Sequence, residues 1–301
     1  MIVTRNRDDA IVRCCRSVLA AVDHDLEVAV VDQSDSESTA CALARLLPDP
    51  RIRHHRSASR GLAAGRNIGF RLTSAPIVAM TDDDCEVASD WIAEVRRLFG
   101  RDTRMALAFG SVLAAPHDAS RGFIPTCAVT DEIVGTRLRD KVRLDGMGAC
   151  MAMRRDVWQA LGGFDELLGA GTSFLAGEET DMCLRVLLEG RAVGVTPRMI
   201  VVHHGFHAHR DARSVGFGYW FGTGAACAKL LRCRHVSILG LLVRLGWRWL
   251  FRPSPVARSF PAATPRRAWF GAFLRGAWAA RGIPVEARLG VFHAPSAHSG
   301  R

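Results

Sequence analysis

Ile77-Val78-Ala79-Met80-Thr81-Asp82-Asp83-Asp84-Cys85-Glu86 is the stretch on which the reading of this chain turns. A short apolar run after Pro76 reads as a buried strand, and it ends in three consecutive carboxylates. Adjacent like charges repel, so a fold keeps three of them at a strand end when a cation compensates. A hard divalent ion with open positions for phosphate oxygens is the usual compensator. A solvated acidic turn is the plainer alternative, and the chain on either side of the stretch decides between the two.

Upstream, strand and helix alternate. Met1 to Thr4 looks like the stub of a strand, and Ala10 to Val22 carries a helical apolar stripe at Ile11, Val12, Cys15, Val18, Leu19 and Val22. Leu26 to Val31 predicts a strand ending at Asp32, and Ser36 is placed to cap a helix running to about Leu47. Ile52 to His55 predicts a further strand, and Gly61 to Leu72 a glycine-interrupted helix. This spacing implies an α/β fold with a mostly parallel, Rossmann-like sheet and helices on both faces. Ligands of such sheets bind beyond the carboxyl ends of the strands, where Thr4, Asp32 and Asp82 to Asp84 fall. No G-x-G-x-x-G follows the first strand and no G-x-x-x-x-G-K-[ST] occurs, which argues against a dinucleotide fold and excludes a P-loop.

Downstream, Trp91 to Phe99 predicts an amphipathic helix and Met105 to Leu113 a strand. Pro116 to Leu144 is irregular and polar, long enough to serve as a functional loop. Gly177-Glu178-Glu179-Thr180-Asp181 opens a helix to Glu189, and its carboxylates are also explained by helix capping. Met199 to Val202 predicts a strand ending at His203-His204. The histidines between His203 and His209 offer a separate zinc site as an alternative, but no cysteine lies near that run.

Val3-Thr4-Arg5-Asn6-Arg7, Val30-Val31-Asp32, Gly65-Arg66-Asn67-Ile68-Gly69 and Thr81-Asp82-Asp83-Asp84 occur in the order seen in glycosyltransferase family 2. So do Leu161-Gly162-Gly163-Phe164-Asp165-Glu166, Gly177 to Asp181 with Leu184-Arg185, and Val201-Val202-His203. The chain resembles that family over residues 1–210. The resemblance implies a GT-A fold, a nucleoside-diphosphate sugar donor (uridine being the commonest base), a divalent Mn²⁺ or Mg²⁺ ion and inverting transfer. It makes Asp84 the metal ligand of a DxD motif, with Asp82 and His203 assisting and Asp82 and Asp83 also placed to hold the ribose. Asp32 would read the base, Thr4 would line the nucleotide pocket, and Arg66 would steady the diphosphate unless it is a surface helix residue. Glu179 takes the place of the family's base aspartate, its extra methylene moving the carboxylate by about an ångström. Asp181 is the fallback base, and Asp165 a weaker candidate for acceptor contacts.

Charge divides the chain. From Gly205 to Arg301 fourteen arginines and Lys229 face only Asp211 and Glu286, a net +13 within a chain of +10. The sequence thus predicts a catalytic domain over 1–210 and a basic, Trp-rich helical appendage over 211–301. Val236 to Phe251 is too short and too charged for a membrane span, because Arg244 and Arg248 interrupt it. Residues 236–281 suit either an interfacial membrane contact or a surface packed on the catalytic domain or a second subunit. Pro253, Pro255, Pro261 and Pro265 separate the first of these helices from one around Arg267 to Arg281.

Nucleic acid is not the expected partner, since the positive charge lies away from the carboxylates and Arg is not interleaved with Phe or Tyr. Nine scattered cysteines with no C-x-x-C pair read as reduced and intracellular. With no signal peptide evident, the expected setting is cytoplasmic, on the inner face of the plasma membrane. The expected acceptor is a cell-envelope polysaccharide or a lipid-linked glycan. A nucleotidyltransferase and an inactive partner subunit are the competing readings. Met1 stands only three residues before Thr4, so a longer native N-terminus is expected to raise solubility and melting temperature.

Overall fold

The computed structural model describes residues 1–251, 258–261 and 266–293. Its centre is a sheet whose inner strands are runs apolar enough to be buried on both faces. β1 (Ile2–Thr4) and β2 (Val28–Asp32) are buried at every position, as a central parallel strand requires. With β3 (Ile52–Arg56), β4 (Ile77–Asp82), β5 (Cys85–Val87), β6 (Met105–Ala114), β7 (Gly122–Phe123), β8 (Ile133–Gly135), β9 (Cys150–Arg154) and β10 (Ala192–His203), the strands follow in chain order. The nine-stranded sheet has the order β3-β2-β1-β4-β9-β6-β10-β5, with β8 also paired to β10. Six of the nine strands run the same way, and β9, β5 and β8 run against them.

Helices cover both faces. α1 (Asp8–Leu19) turns Ile11, Cys14, Cys15 and Val18 inward, and α4 (Trp91–Arg101) turns Trp91, Val95, Leu98 and Phe99 inward. These share one core with Ile2, Val28 and Val30. α3 (Leu62–Leu72), α5 (Arg155–Ala160) and α6 (Glu178–Leu188) fill the other face around Phe70, Val157, Trp158, Met182 and Val186. The two periodicities, three to four in the helices and two in the strands, assign each apolar side chain to one core.

The sequence expectations fail locally where hydrogen bonding overrides pattern. α2 (Ser38–Leu43) starts after Glu37 and is shorter than expected, while the Ser36 hydroxyl pairs with that of Ser38 at 2.9 Å. The stretch 116–144 is not irregular throughout, since it holds β7, β8 and a 3₁₀ turn over Leu138–Arg143. β10 is far longer than Met199 to Val202. It continues through Thr196-Pro197-Arg198 by a register shift against β6 between Val195 and Ile200, the irregularity a proline without an N–H imposes.

β11 (His207–Ala208) pairs with β7, and among the described residues the helices α7 (Ala212–Arg232), α8 (Ser237–Phe251) and α9 (Arg266–Ala279) follow. α7 is bound into the preceding body by Lys229, fully buried, with Nζ 2.6 Å from Asp165 Oδ2 and 2.7 Å from Asp181 Oδ1. α7 and α9 touch backbone to backbone, and a Cβ on Gly276 would lie 1.9 Å from the Phe221 carbonyl oxygen. No helix among the described residues is long and apolar enough to cross a membrane. Pro253, Pro255 and Pro265 lie outside the described residues.

Candidate active site

Strand register brings together the residues expected on the nucleotide side. Thr4 is level with Asp32 across β1–β2, and Val3 with Asp82 across β1–β4, so the three strand ends open on one edge. Thr4 Oγ1 donates to Asp83 Oδ2 at 2.7 Å, and the Arg7 guanidinium lies between Asp83, at 3.0 Å, and Asp84. Asp32 is fully buried and accepts from the Ser34 amide and from His54 Nε2, each at 2.9 Å. Burial would raise the Asp32 carboxyl, but these donors outweigh it and hold it below the ordinary carboxylate range. His54 was not legible as a site residue; its only signal was a polar side chain in a strand beside Asp32.

The three aspartates differ in state because their neighbours differ. Asp82 is pushed up by burial, only partly offset by Arg66. Asp83 is pushed up to about 6 by burial, against the pull of Arg7 and Thr4. Asp84 is also raised by burial, but His203 and Arg7 reverse this and hold it down at about 2. Asp84 is therefore the firmest anion of the three.

β10 runs antiparallel to β5 with His203 level with Cys85, which brings the imidazole to Asp84. Because a carbonyl only accepts, His203 Nδ1 donates to Pro125 O at 2.9 Å, and this fixes the proton on that nitrogen. Nε2 is left facing Asp84 Oδ1 at 3.4 Å. Ligand atoms of Asp84, Cys85 and His203 all lie within 4.8 Å of one another, a constellation in which Cys85 was not anticipated. Burial would lower the His203 pKa, but the Asp84 carboxylate outweighs it and raises it.

Arg66 is placed differently from its expected role. It is 2% exposed, with Nη1 2.9 Å from Glu178 Oε1 and Nη2 3.3 Å from Asp82 Oδ1 and 3.1 Å from Gly148 O. A guanidinium so enclosed and so occupied positions carboxylates rather than reaching out to a diphosphate, and it is no surface residue either. It links the DxD strand to the acidic helix start.

That helix start is made by Gly177, whose φ of 95° favours a residue without a Cβ. Glu179 is 9% exposed, and burial first and then the adjacent Glu178 raise its pKa to about 8. Asp181 corrects the fallback assignment. It has no exposed surface, and it is held by Arg185 Nε at 2.9 Å and Lys229 Nζ at 2.7 Å, so it anchors α6 and cannot meet an acceptor. Asp165 is enclosed in the same network, accepting from Lys229 and from the Phe292 amide at 2.7 Å, and is likewise no acceptor contact.

α7 backs the acidic helix start closely. A Cβ on Gly222 would lie 2.0 Å from the Ala176 carbonyl oxygen, so only glycine lets α7 support the loop that leads into Glu178 and Glu179. Tyr219, on the same helix, feels the charges of Glu179 and Asp82. Burial first, then those charges, raises its pKa.

A mostly parallel half-sheet with a strand-end carboxylate cluster, a histidine delivered by a late strand and a buried glutamate pair define the GT-A class of glycosyltransferase. Residues 1–162 match the family model for glycosyl transferase family 2, and the chain belongs to that family. It is 27% identical over 176 residues to a glucosyl-dolichyl phosphate glucuronosyltransferase of Haloferax volcanii, a match that spans 56% of this chain and 56% of that relative. In fold it is similar to the mannosyltransferase PcManGT from Pyrobaculum calidifontis, solved with GDP-Man and Mn²⁺. The TM-score there is 0.58 at 17% identity, over 93% of this chain and 85% of that one. It is also similar to S. aureus TarS 1–349 in complex with UDP, with a TM-score of 0.57 at 13% identity over 84% and 71% of the two chains.

Proposed function

We propose that this glycosyltransferase moves a sugar, with inversion, from a uridine diphosphate donor to a cell-envelope glycan or a lipid-linked acceptor. The observation that carries the reading is the Arg66 bridge, which holds the Asp82 end of the carboxylate cluster and the Glu178–Glu179 pair in one site. Asp32 and Thr4 line the nucleotide side. Asp84 and His203, with Asp82 assisting, suit a divalent ion: the carboxylate is a firm anion, and the Pro125 carbonyl leaves Nε2 its lone pair. When bound there, such an ion neutralises the charge that gathers on the leaving diphosphate.

Glu179 acts as the general base. It takes the proton of the acceptor hydroxyl as that oxygen bonds to the anomeric carbon. The bond from that carbon to the phosphate oxygen breaks, and its electron pair leaves with the diphosphate. A carboxylate whose pKa is raised by burial is a stronger base once ionised. The GDP-Man bound to one fold neighbour and the UDP bound to the other support a nucleotide-sugar substrate, and the Mn²⁺ of the mannosyltransferase supports the ion. The dolichyl phosphate in the relative's name supports a lipid-linked acceptor at a membrane, and the cytoplasmic face is the one proposed.

The test is thermal stabilisation by a panel of nucleoside diphosphates, with and without Mn²⁺, on wild type and Asp84→Ala. The expected result is a Mn²⁺-dependent rise for UDP, corresponding to about 2.7 kcal/mol at a hundredfold excess over Kd, and lost in the variant. A rise for another base instead overturns the uridine assignment, and no rise for any nucleotide overturns the donor reading.

A further inference from the structure

Large apolar side chains of the C-terminal helices remain at the surface in two ordered stripes. Val236, which leads into α8, and Leu239, Val243 and Trp247 are each more than half exposed. Their spacing of three, four and four places them on one helical face. The opposite face of α8 carries Ile238, Leu241, Leu242 and Leu245, which pack against Leu184 and Leu230. On α9, Phe270, Leu274 and Trp278 are again more than half exposed and recur every four residues, while Trp269, Ala272 and Gly276 are buried, Gly276 against α7. Both helices are therefore apolar on the packed side and apolar again on the outer side, which a freely solvated helix is not.

The rims are cationic. Arg234 and Arg244 are exposed beside the first stripe, and Arg267, Arg275 and Arg281 beside the second, with the Arg281 guanidinium stacked 3.2 Å from the Trp278 ring centre. From Gly205 onward the only acids are Asp211 and Glu286. A second copy would bring this positive surface against itself, whereas interface cores are depleted of charge. An anionic bilayer surface matches both features: aromatic rings lie at headgroup depth, and arginines meet lipid phosphates while their stems stay apolar. We infer that the outer stripes of α8 and α9 seat the protein on a bilayer rich in anionic phospholipid, lying in the interface and not crossing it. This deepens the membrane-face part of the proposed function and rests on it.

The experiment is co-sedimentation of the full chain with vesicles of phosphatidylcholine alone and with about one third phosphatidylglycerol, at low and high salt. Binding is expected to the anionic vesicles, with a loss of about fivefold for each arginine removed at the rim. Phe270→Ser with Leu274→Ser and Trp278→Ser should weaken it at least tenfold, and Val243→Ser with Trp247→Ser should weaken it independently. The nucleotide thermal shift serves as the folding control, and its retention separates failure of this inference from failure of the donor reading. Equal binding to both vesicle types overturns the anionic assignment. Absence of binding by wild type, or a dimeric mass by light scattering that the stripe variants abolish, overturns the inference.

Discussion

Lys229→Met tests how α7 and the body that precedes it depend on each other. In the wild type the buried cluster is neutral: Lys229 and Arg185 balance Asp165 and Asp181, all 3% exposed or less. Methionine fills much the same volume but leaves one net negative charge in the interior. Asp181 keeps Arg185 at 2.9 Å, and Asp165 keeps the amides of Phe292 at 2.7 Å and Leu167 at 3.1 Å, so neither is orphaned. Removing one partner of such a buried pair costs about 3–5 kcal/mol. That is a large share of the ~5–15 kcal/mol that holds a domain folded. Urea unfolding should show the midpoint falling at an unchanged slope, and at roughly 2–4 °C per kcal/mol the melting temperature should drop by about 6–20 °C. Adding Asp165→Asn removes the surplus charge and should recover at least about half of the loss, since the cost lies in the uncompensated anion. A Lys229→Met protein within about 1 kcal/mol of wild type would refute the reasoning, as would a double variant no better than the single one.

Glu179→Gln should lower kcat by about 10²- to 10⁴-fold while UDP-induced stabilisation is kept, because the base is absent and the donor side is untouched. Wild-type kcat/KM should rise with pH up to about 8 as Glu179 ionises. Folding stability should move the opposite way. Between the unfolded carboxyl value and about 8 the native state holds a proton that the unfolded chain has lost, so stability falls as pH rises, by on the order of 1 kcal/mol per unit, and Glu179→Gln should flatten that slope in unfolding measured at several pH values. Gly222→Ala should lower kcat more than it raises the donor KM, because its Cβ displaces the Ala176 carbonyl and with it the base loop; steady-state kinetics with donor varied would show an unchanged kcat if α7 merely lies alongside.

The sheet was legible because its strands are short apolar runs that end in polar residues, and Asp82 to Asp84 marked the edge where the site lies. Thr4, Asp32 and His203 could be placed on that edge for the same reason, each being the polar residue that ends an apolar run, whereas the choice of Asp84 among the three aspartates came from the family resemblance. The extent of β10 was not legible, since Pro197 breaks the pattern while the β6 register resumes beyond it. The roles of Arg66 and Asp181 were also hidden. Periodicity tells which face of a helix is buried, but not that a charged residue on that face meets a partner over a hundred positions away, as Arg66 meets Glu178. Cys85 was missed because its strand pairs with His203 only through long-range register. Lys229 looked like one more cation in a basic tail, and only its burial distinguishes it.

That burial has a practical corollary for the chemistry of the surface. The chain has two lysines, and with Lys229 sealed against two aspartates, Lys141 is the one side-chain amine left for a reagent to reach, itself engaged with the Leu144 carbonyl at 2.8 Å. Apart from Lys141, the lysine-and-arginine charge of the exterior is guanidinium. Labelling, immobilisation and cross-linking through lysine side chains therefore report on a single locus between β8 and β9, and mapping of the C-terminal helices, which beyond Lys229 carry arginine and no carboxylate, calls for arginine-selective reagents instead.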